Sequence, residues 1–294
     1  MKVGVIGLGA MGANMALNFH YAGFLHRVWN RTRASAEAVS AKTKVKIADS
    51  PQQLAADCEL IITSVSRDAD VLEVVRSILA TIKPETVVAD TSTVSAETAR
   101  QAATQLKEKQ AYFLDCPVSG GVEGARNATL AIMAGGEEKI LARVRPALSS
   151  IASNIAYIGP TGSGQACKAV NQLMAAGINQ AVTEALAFGE IMGLDMNKVV
   201  DIVSTGAAGN WFLEHRGKSM LAGKFIPGFK LSLHHKDLMI CKSMLQNVTA
   251  ASMPILNATL DDYQHLMDEG HADDDISALF RLKQERIKKS GGRG

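Results

Sequence analysis

Lys168 has the strongest claim to chemistry in this sequence. It lies in Gly162-Ser163-Gly164-Gln165-Ala166-Cys167-Lys168-Ala169-Val170-Asn171-Gln172, a glycine-punctuated turn that opens a long helical pattern. Across residues 146–183 it is the only formally charged side chain, where a 20% charged content predicts about eight. On a helical wheel Lys168, Asn171, Gln172, Ala175 and Asn179 share one strip, and Val170, Leu173, Met174, Gly177 and Ala181 lie opposite. A helix that is apolar or small nearly all round is normally buried, and a lone lysine in it must pair or have its pKa lowered. A lysine held that way can pass a proton near neutrality. The alternative is a lysine that snorkels to water from the first helical turn, and this stretch by itself supports both.

Two other groups of residues offer binding instead of proton transfer. Gly7-Leu8-Gly9-Ala10-Met11-Gly12 follows a β-branched run at residues 2–6 and leads into an apolar-periodic helix at residues 11–21. In the order strand, glycine turn, helix, this spacing reads as a dinucleotide site. Gly7 allows the tight turn, Gly9 lets a pyrophosphate approach the backbone, and Gly12 lets the helix pack on the strand. The N–H groups and dipole of the helix start would hold the phosphates. The second strand, residues 26–30, runs into Trp29-Asn30-Arg31-Thr32-Arg33 and lacks the terminal acid that accepts the ribose hydroxyls of NAD. With no acid to repel a 2′-phosphate and a guanidinium able to bind it bidentately, NADP is favoured over NAD. The same arginines could also start a surface helix. Ser119-Gly120-Gly121 offers a hydroxyl and successive N–H groups to a small anion, or forms a plain tight turn.

The elements that must position these residues follow from periodicity. Strand patterns recur at residues 60–65, 87–90 and 112–115, separated by helical stretches at 69–82 and 96–110. Such alternation gives a parallel sheet wrapped by helices, with ligands beyond the carboxyl ends of its strands. Val65-Ser66, Thr91-Ser92-Thr93 and Pro117-Val118-Ser119 all fall at such ends. Short strands near 130–134 and 155–158 extend the sheet before the Gly159-Pro160 break. Beyond it the pattern is helical, to about residue 192 and then at 197–204, 210–222, 233–246, 254–269 and 276–288. The expected architecture is α/β: an N-terminal Rossmann-type doubly wound sheet over residues 1–160, then an all-α C-terminal domain over 161–294 that begins with the Lys168 helix. Lys236-Asp237 reads as solvated surface, and the basic run at 283–293 as a solvated terminus. Adjacent His234 and His235 cannot chelate as an i, i+4 pair, so no metal site is expected.

Composition narrows the class further. In 294 residues, 31 basic and 29 acidic side chains nearly cancel, which gives no global field for nucleic acid. The four cysteines, Cys58, Cys116, Cys167 and Cys241, show no ligand spacing and read as buried thiols of a reducing compartment. No apolar run reaches the length of a membrane span. The expectation is a cytoplasmic protein.

These residues resemble the β-hydroxyacid dehydrogenase family, which includes 3-hydroxyisobutyrate dehydrogenase, tartronate semialdehyde reductase and glyoxylate/succinic semialdehyde reductases. The resemblance covers nearly the whole chain. It rests on the glycine turn at residues 7–12, Asp115-Cys116-Pro117-Val118-Ser119-Gly120-Gly121-Val122-Glu123-Gly124-Ala125, the Lys168 stretch with Asn171, and Lys236-Asp237-Leu238. It implies an NAD(P)-dependent oxidoreductase that interconverts a small 3-hydroxy acid and its semialdehyde, with Lys168 as proton donor and acceptor. Ser119, Gly120 and Gly121 would hold the substrate carboxylate, with Asn171 and Gln172 beside Lys168. The cofactor would lie along Gly7 to Gly12, Asn30, Arg31, Thr32, Val65, Ser66, Thr93 and Lys236. The family associates as dimers or tetramers through the helical domain. Many relatives have Asn-Asn where this chain has Asn171-Gln172, which leaves open which amide orients the substrate. Val65-Ser66 replaces a usual Leu-Pro, and Asp70 stands where Asn is common.

Three rivals remain. A decarboxylating dehydrogenase of the 6-phosphogluconate type would want a His three residues after the lysine, where this chain has Asn171. An imine reductase on the same scaffold would usually lack the lysine. A catalytically silent NADP-binding protein should have lost Lys168 before its glycines, and both remain.

Overall fold

The β-branched run after Lys2 forms β1 (Val3–Ile6), buried along its whole length because strands pair on both sides of it. The computed structural model describes residues 1–290. In it β1 is joined on one side by β2 (Leu25–Trp29) and β3 (Lys46–Ile47), and on the other by β4 (Leu60–Thr63), β5 (Val87–Asp90) and β6 (Tyr112–Asp115), all parallel. Strand order therefore reverses at β1, and the crevice beyond the carboxyl ends of β1 and β4 is where such sheets take ligands.

Three further strands, β7 (Val118–Ser119), β8 (Leu130–Gly135) and β9 (Ala152–Gly159), complete a nine-stranded sheet. β8 runs antiparallel to β6 and β7 and parallel to β9. The two-residue strands β3 and β7 were not foreseen, since a run that short carries no alternation to detect.

Crossovers between the strands are α1 (Ala10–Tyr21), α2 (Arg33–Thr43), α3 (Pro51–Asp57), α4 (Asp68–Ile78), α5 (Ala96–Lys107), α6 (Gly121–Asn127) and α7 (Glu138–Leu148). Alternate residues of β4 divide between the two faces of the sheet. Leu60 and Ile62 pack with Met15 and Phe19 of α1, and Ile61 packs with Leu54, Val75 and Ile78 of α3 and α4.

The chain divides into two compact units, the first ending at Lys168 and the second starting at Ala169. Helix α8 (Ser163–Ile191) spans the division. The second unit continues with α9 (Met196–Ser204), α10 (Trp211–Leu221), α11 (Leu231–Gln246), α12 (Pro254–Asp268), a 3-10 turn at Ile276–Ala278 and α13 (Leu279–Ser290). Leu186, Leu213, Leu238, Tyr263 and Phe280 lie in its core. The architecture is thus a Rossmann-like, mostly parallel sheet followed by a helical region.

Helix α8 is not buried all round, as its small and apolar composition suggests it would be. Its polar strip is the buried one: Gln172, Asn179 and Thr183 are inside, whereas Val170 is 61% and Met174 62% exposed. The polar side chains can be buried because each has a partner. Asn179 donates to the Tyr263 hydroxyl and the Ile276 carbonyl, both at 2.8 Å, and Thr183 donates to the Asn179 carbonyl.

The basic terminus is a second correction. Lys283 is buried between Asp262 at 3.4 Å and Glu184 at 3.6 Å, and Arg286 pairs with the same Asp262. Burial alone would raise the Asp262 carboxyl, but hydrogen bonds from Gln180 and Arg286 and the two cationic charges outweigh it and hold it below the usual range. Residues 291–293 of that run lie outside the described residues.

Candidate active site

The glycine turn is shaped by its neighbours. Gly7 sits at φ +90°, and a side chain at Gly12 would strike the Gly7 carbonyl, so α1 packs onto β1 at this point. Gly9 is different: a Cβ there meets no atom within 4 Å, and Gly9 and Ala10 are exposed. The N-cap of α1 is Gly9 itself, so no side chain occupies the position where a phosphate would accept from the helix start. Leu8 N–H donates 2.8 Å to Asn30 Oδ1, and Asn30 Nδ2 donates 2.9 Å to the Thr32 carbonyl. Asn30 therefore braces the glycine turn against the end of β2. Open backbone at Gly9, a bare helix start including Met11 and a braced turn fit a dinucleotide pyrophosphate.

Arg31 is exposed at the β2 end, and its Nη1 lies 3.5 Å from Asp70 Oδ1 on the first turn of α4. The strand-end motif contains no acid, yet an acid reaches the same place from another element. Reading β2 alone could not find it.

The loops after β4 and β5 are held by Asp90. Its Oδ1 accepts from Thr63 Oγ1 at 2.6 Å, Ser92 Oγ at 2.7 Å and Ser92 N–H at 3.2 Å. Ser92 Oγ in turn accepts from Val65 N–H at 2.9 Å. Val65, exposed Ser66 and half-buried Thr93 are thus carried on loops fixed to one buried carboxylate. Burial pushes the Asp90 carboxyl up to about 6, against the opposing pull of its Thr63 and Ser92 hydrogen bonds.

Ser119 ends β7, and Gly120 and Gly121 follow at φ +126° and +60°, which turns the chain into α6 with both glycines exposed. Lys168 is 7% exposed. The helix start before it is capped from a distance: Asp115, the last residue of β6, accepts 2.8 Å from Gly162 N–H and 3.0 Å from Gln165 N–H. Gln165 then donates 2.8 Å to the Ser92 carbonyl and accepts 3.2 Å from Val94 N–H. Asp115 and Gln165 stand inside the motifs read from the sequence, but neither has a role of its own there. The available signal was two aspartates, Asp90 and Asp115, each ending an apolar strand.

In the second unit, Gln172 is buried and donates 2.6 Å to Asp237 Oδ2, while its Oε1 accepts 2.8 Å from Asn171 Nδ2. Asp237 is itself buried, with Lys236 Nζ 2.9 Å from its Oδ1. The Lys236-Asp237 pair is therefore not the solvated surface expected of it, because the i+1 carboxylate faces a buried amide. His234 is fully buried, hydrogen-bonded to the Tyr263 hydroxyl at 3.1 Å and the Gln172 carbonyl at 3.2 Å.

A family model described as the NAD binding domain of 6-phosphogluconate dehydrogenase matches residues 2–159, and one described as NAD-binding of NADP-dependent 3-hydroxyisobutyrate dehydrogenase matches residues 162–283. The 2-hydroxy-3-oxopropionate reductase of Escherichia coli is 36% identical over 261 residues, 87% of each chain. The chain belongs to the NAD(P)-dependent 3-hydroxyacid dehydrogenase family. A solved Mycobacterium tuberculosis 3-hydroxyisobutyrate dehydrogenase with L-serine superposes on this family member with a TM-score of 0.87 at 31% identity, covering 96% of this chain and 98% of that one. An imine reductase from Pseudomonas sp. matches at 18% identity and a TM-score of 0.64, covering 95% and 98%, a likeness of fold alone.

No helix among the described residues of the chain is long and apolar enough to cross a membrane. His265, Glu269 and Glu285 bring ligand atoms within 4.8 Å of one another, a grouping absent from the sequence reading. His265 and Glu269 are an exposed i, i+4 pair at 3.4 Å.

Proposed function

We propose that this chain is an NADP-preferring enzyme that interconverts a small 3-hydroxy acid and its semialdehyde, working as a homodimer or homotetramer. One observation carries the reading. Lys168 is buried on a helix whose first turn is fastened to the ends of β5 and β6, the strands that lead into the Thr93 and Ser119 loops.

A bound nicotinamide supplies the hydride in reduction and takes it in oxidation. Lys168 gives a proton to the substrate's carbonyl oxygen in the first direction and removes it from the hydroxyl in the second. The Ser119 hydroxyl and the exposed backbone of Gly120 and Gly121 bind the substrate carboxylate. Asn171, one helical turn after Lys168, orients the reacting oxygen. Gln172 serves Asn171 instead of the substrate, since its own amide is committed to Asp237 and Asn171. Gly7 through Gly12, Asn30, Arg31, Thr32, Val65, Ser66, Thr93 and Lys236 hold the cofactor. The names of the relatives support the substrate class, and exposed Arg31 supports NADP.

The deciding experiment is NADPH consumption with tartronate semialdehyde, succinic semialdehyde, methylmalonate semialdehyde and glyoxylate, with NADH and Lys168→Ala alongside. Lysine-dependent turnover of one of them is expected. Tight NADPH binding without turnover, or full turnover by Lys168→Ala, would overturn the reading.

A further inference from the structure

Helix α8 starts without a cap of its own. Its first i→i+4 bond runs from Ala166 N–H to the Gly162 carbonyl, which makes Gly162 the N-cap, a residue with no side chain to accept from the first turn. Asp115 supplies that acceptor from β6, one oxygen to Gly162 N–H and the other to Gln165 N–H. The approach is close: a Cβ at Gly164 would strike the Met133 carbonyl on β8 and would lie 2.6 Å from the Asp115 carbonyl. Gln165 adds a second fastening, to the Ser92 carbonyl and Val94 N–H on either side of Thr93. Both side chains are buried, and Lys168 follows Gln165 by three residues, roughly 4.5 Å further along the same helix face.

We propose that Asp115 and Gln165 are positioning residues for Lys168: together they lock the first turn of its helix to the loops after β5 and β6, fixing where the Lys168 ammonium stands relative to the Thr93 and Ser119 loops. This rests on the reading of Lys168 as the proton-transfer group. A cap supplied by its own helix would hold the turn but leave it free to shift over the sheet. A cap supplied by β6 fixes both at once. A shift of about 1 Å in a reacting group costs on the order of a hundredfold in rate, which sets the size of effect to seek.

The test uses the full chain and two conservative variants. Asp115→Asn turns an NH2 toward one of two N–H donors, and Gln165→Glu turns an oxygen toward the Ser92 carbonyl. Each is assayed for kcat and KM with NADPH and the semialdehyde turned over by the parent chain, for NADPH affinity by fluorescence, and for the pH dependence of Lys168 acetylation by acetic anhydride, read by peptide mass spectrometry. The expected result is a loss in kcat of about a hundredfold with KM and NADPH affinity nearly unchanged. A displaced acetylation profile at Lys168, and no further loss when either change is added to Lys168→Ala, are expected with it. Losses that multiply with Lys168→Ala, or an unaltered Lys168 acetylation profile in both variants, would overturn the proposal. If Lys168→Ala itself retains turnover, the catalytic reading falls, and the acetylation profile still decides whether Asp115 and Gln165 position the lysine.

Discussion

Gln172 Nε2 donates to Asp237 Oδ2 at 2.6 Å, and both side chains are buried although they lie 65 residues apart. The amide joins two residues with different tasks, because its oxygen accepts from Asn171 while its nitrogen satisfies the carboxylate that also holds Lys236. Replacing it by an apolar side chain strips one partner from a buried carboxylate and one from Asn171. Such a loss costs about 1–3 kcal/mol. Gln172→Leu is therefore expected to lower stability by that amount in urea unfolding and to reduce turnover. Gln172→Asn, the pair many relatives carry, should recover part of both. Unchanged stability in Gln172→Leu would show that the bond contributes nothing.

Gly9 and Gly12 predict opposite outcomes for the same change. Gly9→Ala places a methyl in open space at a φ of −71° that any residue adopts, so the fold should stay within about 0.5 kcal/mol of the parent. If that space is kept for a pyrophosphate, NADPH affinity should fall at least about tenfold, or about 1.4 kcal/mol. Gly12→Ala meets the Gly7 carbonyl and should lose stability by about 1–3 kcal/mol as well as affinity. Thermal melts with and without NADPH separate the two, and equal NADPH affinity for Gly9→Ala and the parent would refute the assignment of the turn.

Arg31 and Asp70 make a competing pair at the cofactor's ribose end. The guanidinium is 78% exposed, so its ion pair with Asp70 at 3.5 Å is worth little and yields readily to a 2′-phosphate. Arg31→Ala is expected to weaken NADPH more than NADH. Asp70→Asn, which removes a competing negative charge, should strengthen NADPH and leave NADH nearly unchanged. Fluorescence titration of both cofactors checks this, and parallel changes for the two nucleotides would remove Arg31 as the discriminator.

The parts of this fold that were legible in the sequence are those governed by neighbours in the chain. Gly7, Gly9 and Gly12 announce a tight turn because their spacing is a local backbone requirement, and strand runs such as 87–90 coincide with β5 because an apolar run between turns has a length. Lys168 drew notice because nothing else nearby is charged. What escaped depends on residues far apart. Asp115 caps a helix 47 positions away, so neither its own surroundings nor those of Gly162 contain the motif. Asp237 and Lys283 read as surface because charge near a helix end usually is, and their burial follows from partners on other elements. Which face of α8 is buried was not legible for the same reason: polar side chains go inside when the opposite wall carries their partners.

That burial leaves Val170, Met174, Ala181, Phe188 and Ile191 exposed on the outer side of α8, at intervals of three, four or seven residues, and the last three line a groove with Ile255 and Ile287. A largely apolar stripe on one helix, interrupted by Glu184, is more than scattered exposure and suits a second copy of the chain. Multi-angle light scattering should give a multiple of the chain mass for the parent and a smaller assembly for Phe188→Glu and Met174→Glu. A monomeric parent would end the proposal of a homo-oligomer.

The last prediction concerns Asp90, whose Oδ2 is buried with no hydrogen-bond partner among the described residues while Oδ1 accepts three bonds. That asymmetry suits a protonated acid. Burial raises the folded carboxyl to about 6, above an unfolded value of about 3.9. Between those values the folded state binds the extra proton, so stability is fully present below pH 4 and is lost as pH rises through 6. Two pH units correspond to roughly 3 kcal/mol. Asp90→Asn keeps the acceptor at Oδ1 and cannot ionise. Its stability relative to the parent should therefore climb between pH 4 and 6 and level off above, measured by urea unfolding at each pH. A difference that stays flat across that window would mean that folding leaves the Asp90 carboxyl near its unfolded value, and the loops carrying Val65 and Thr93 would then be anchored by an anion between pH 4 and 6 instead of a neutral acid.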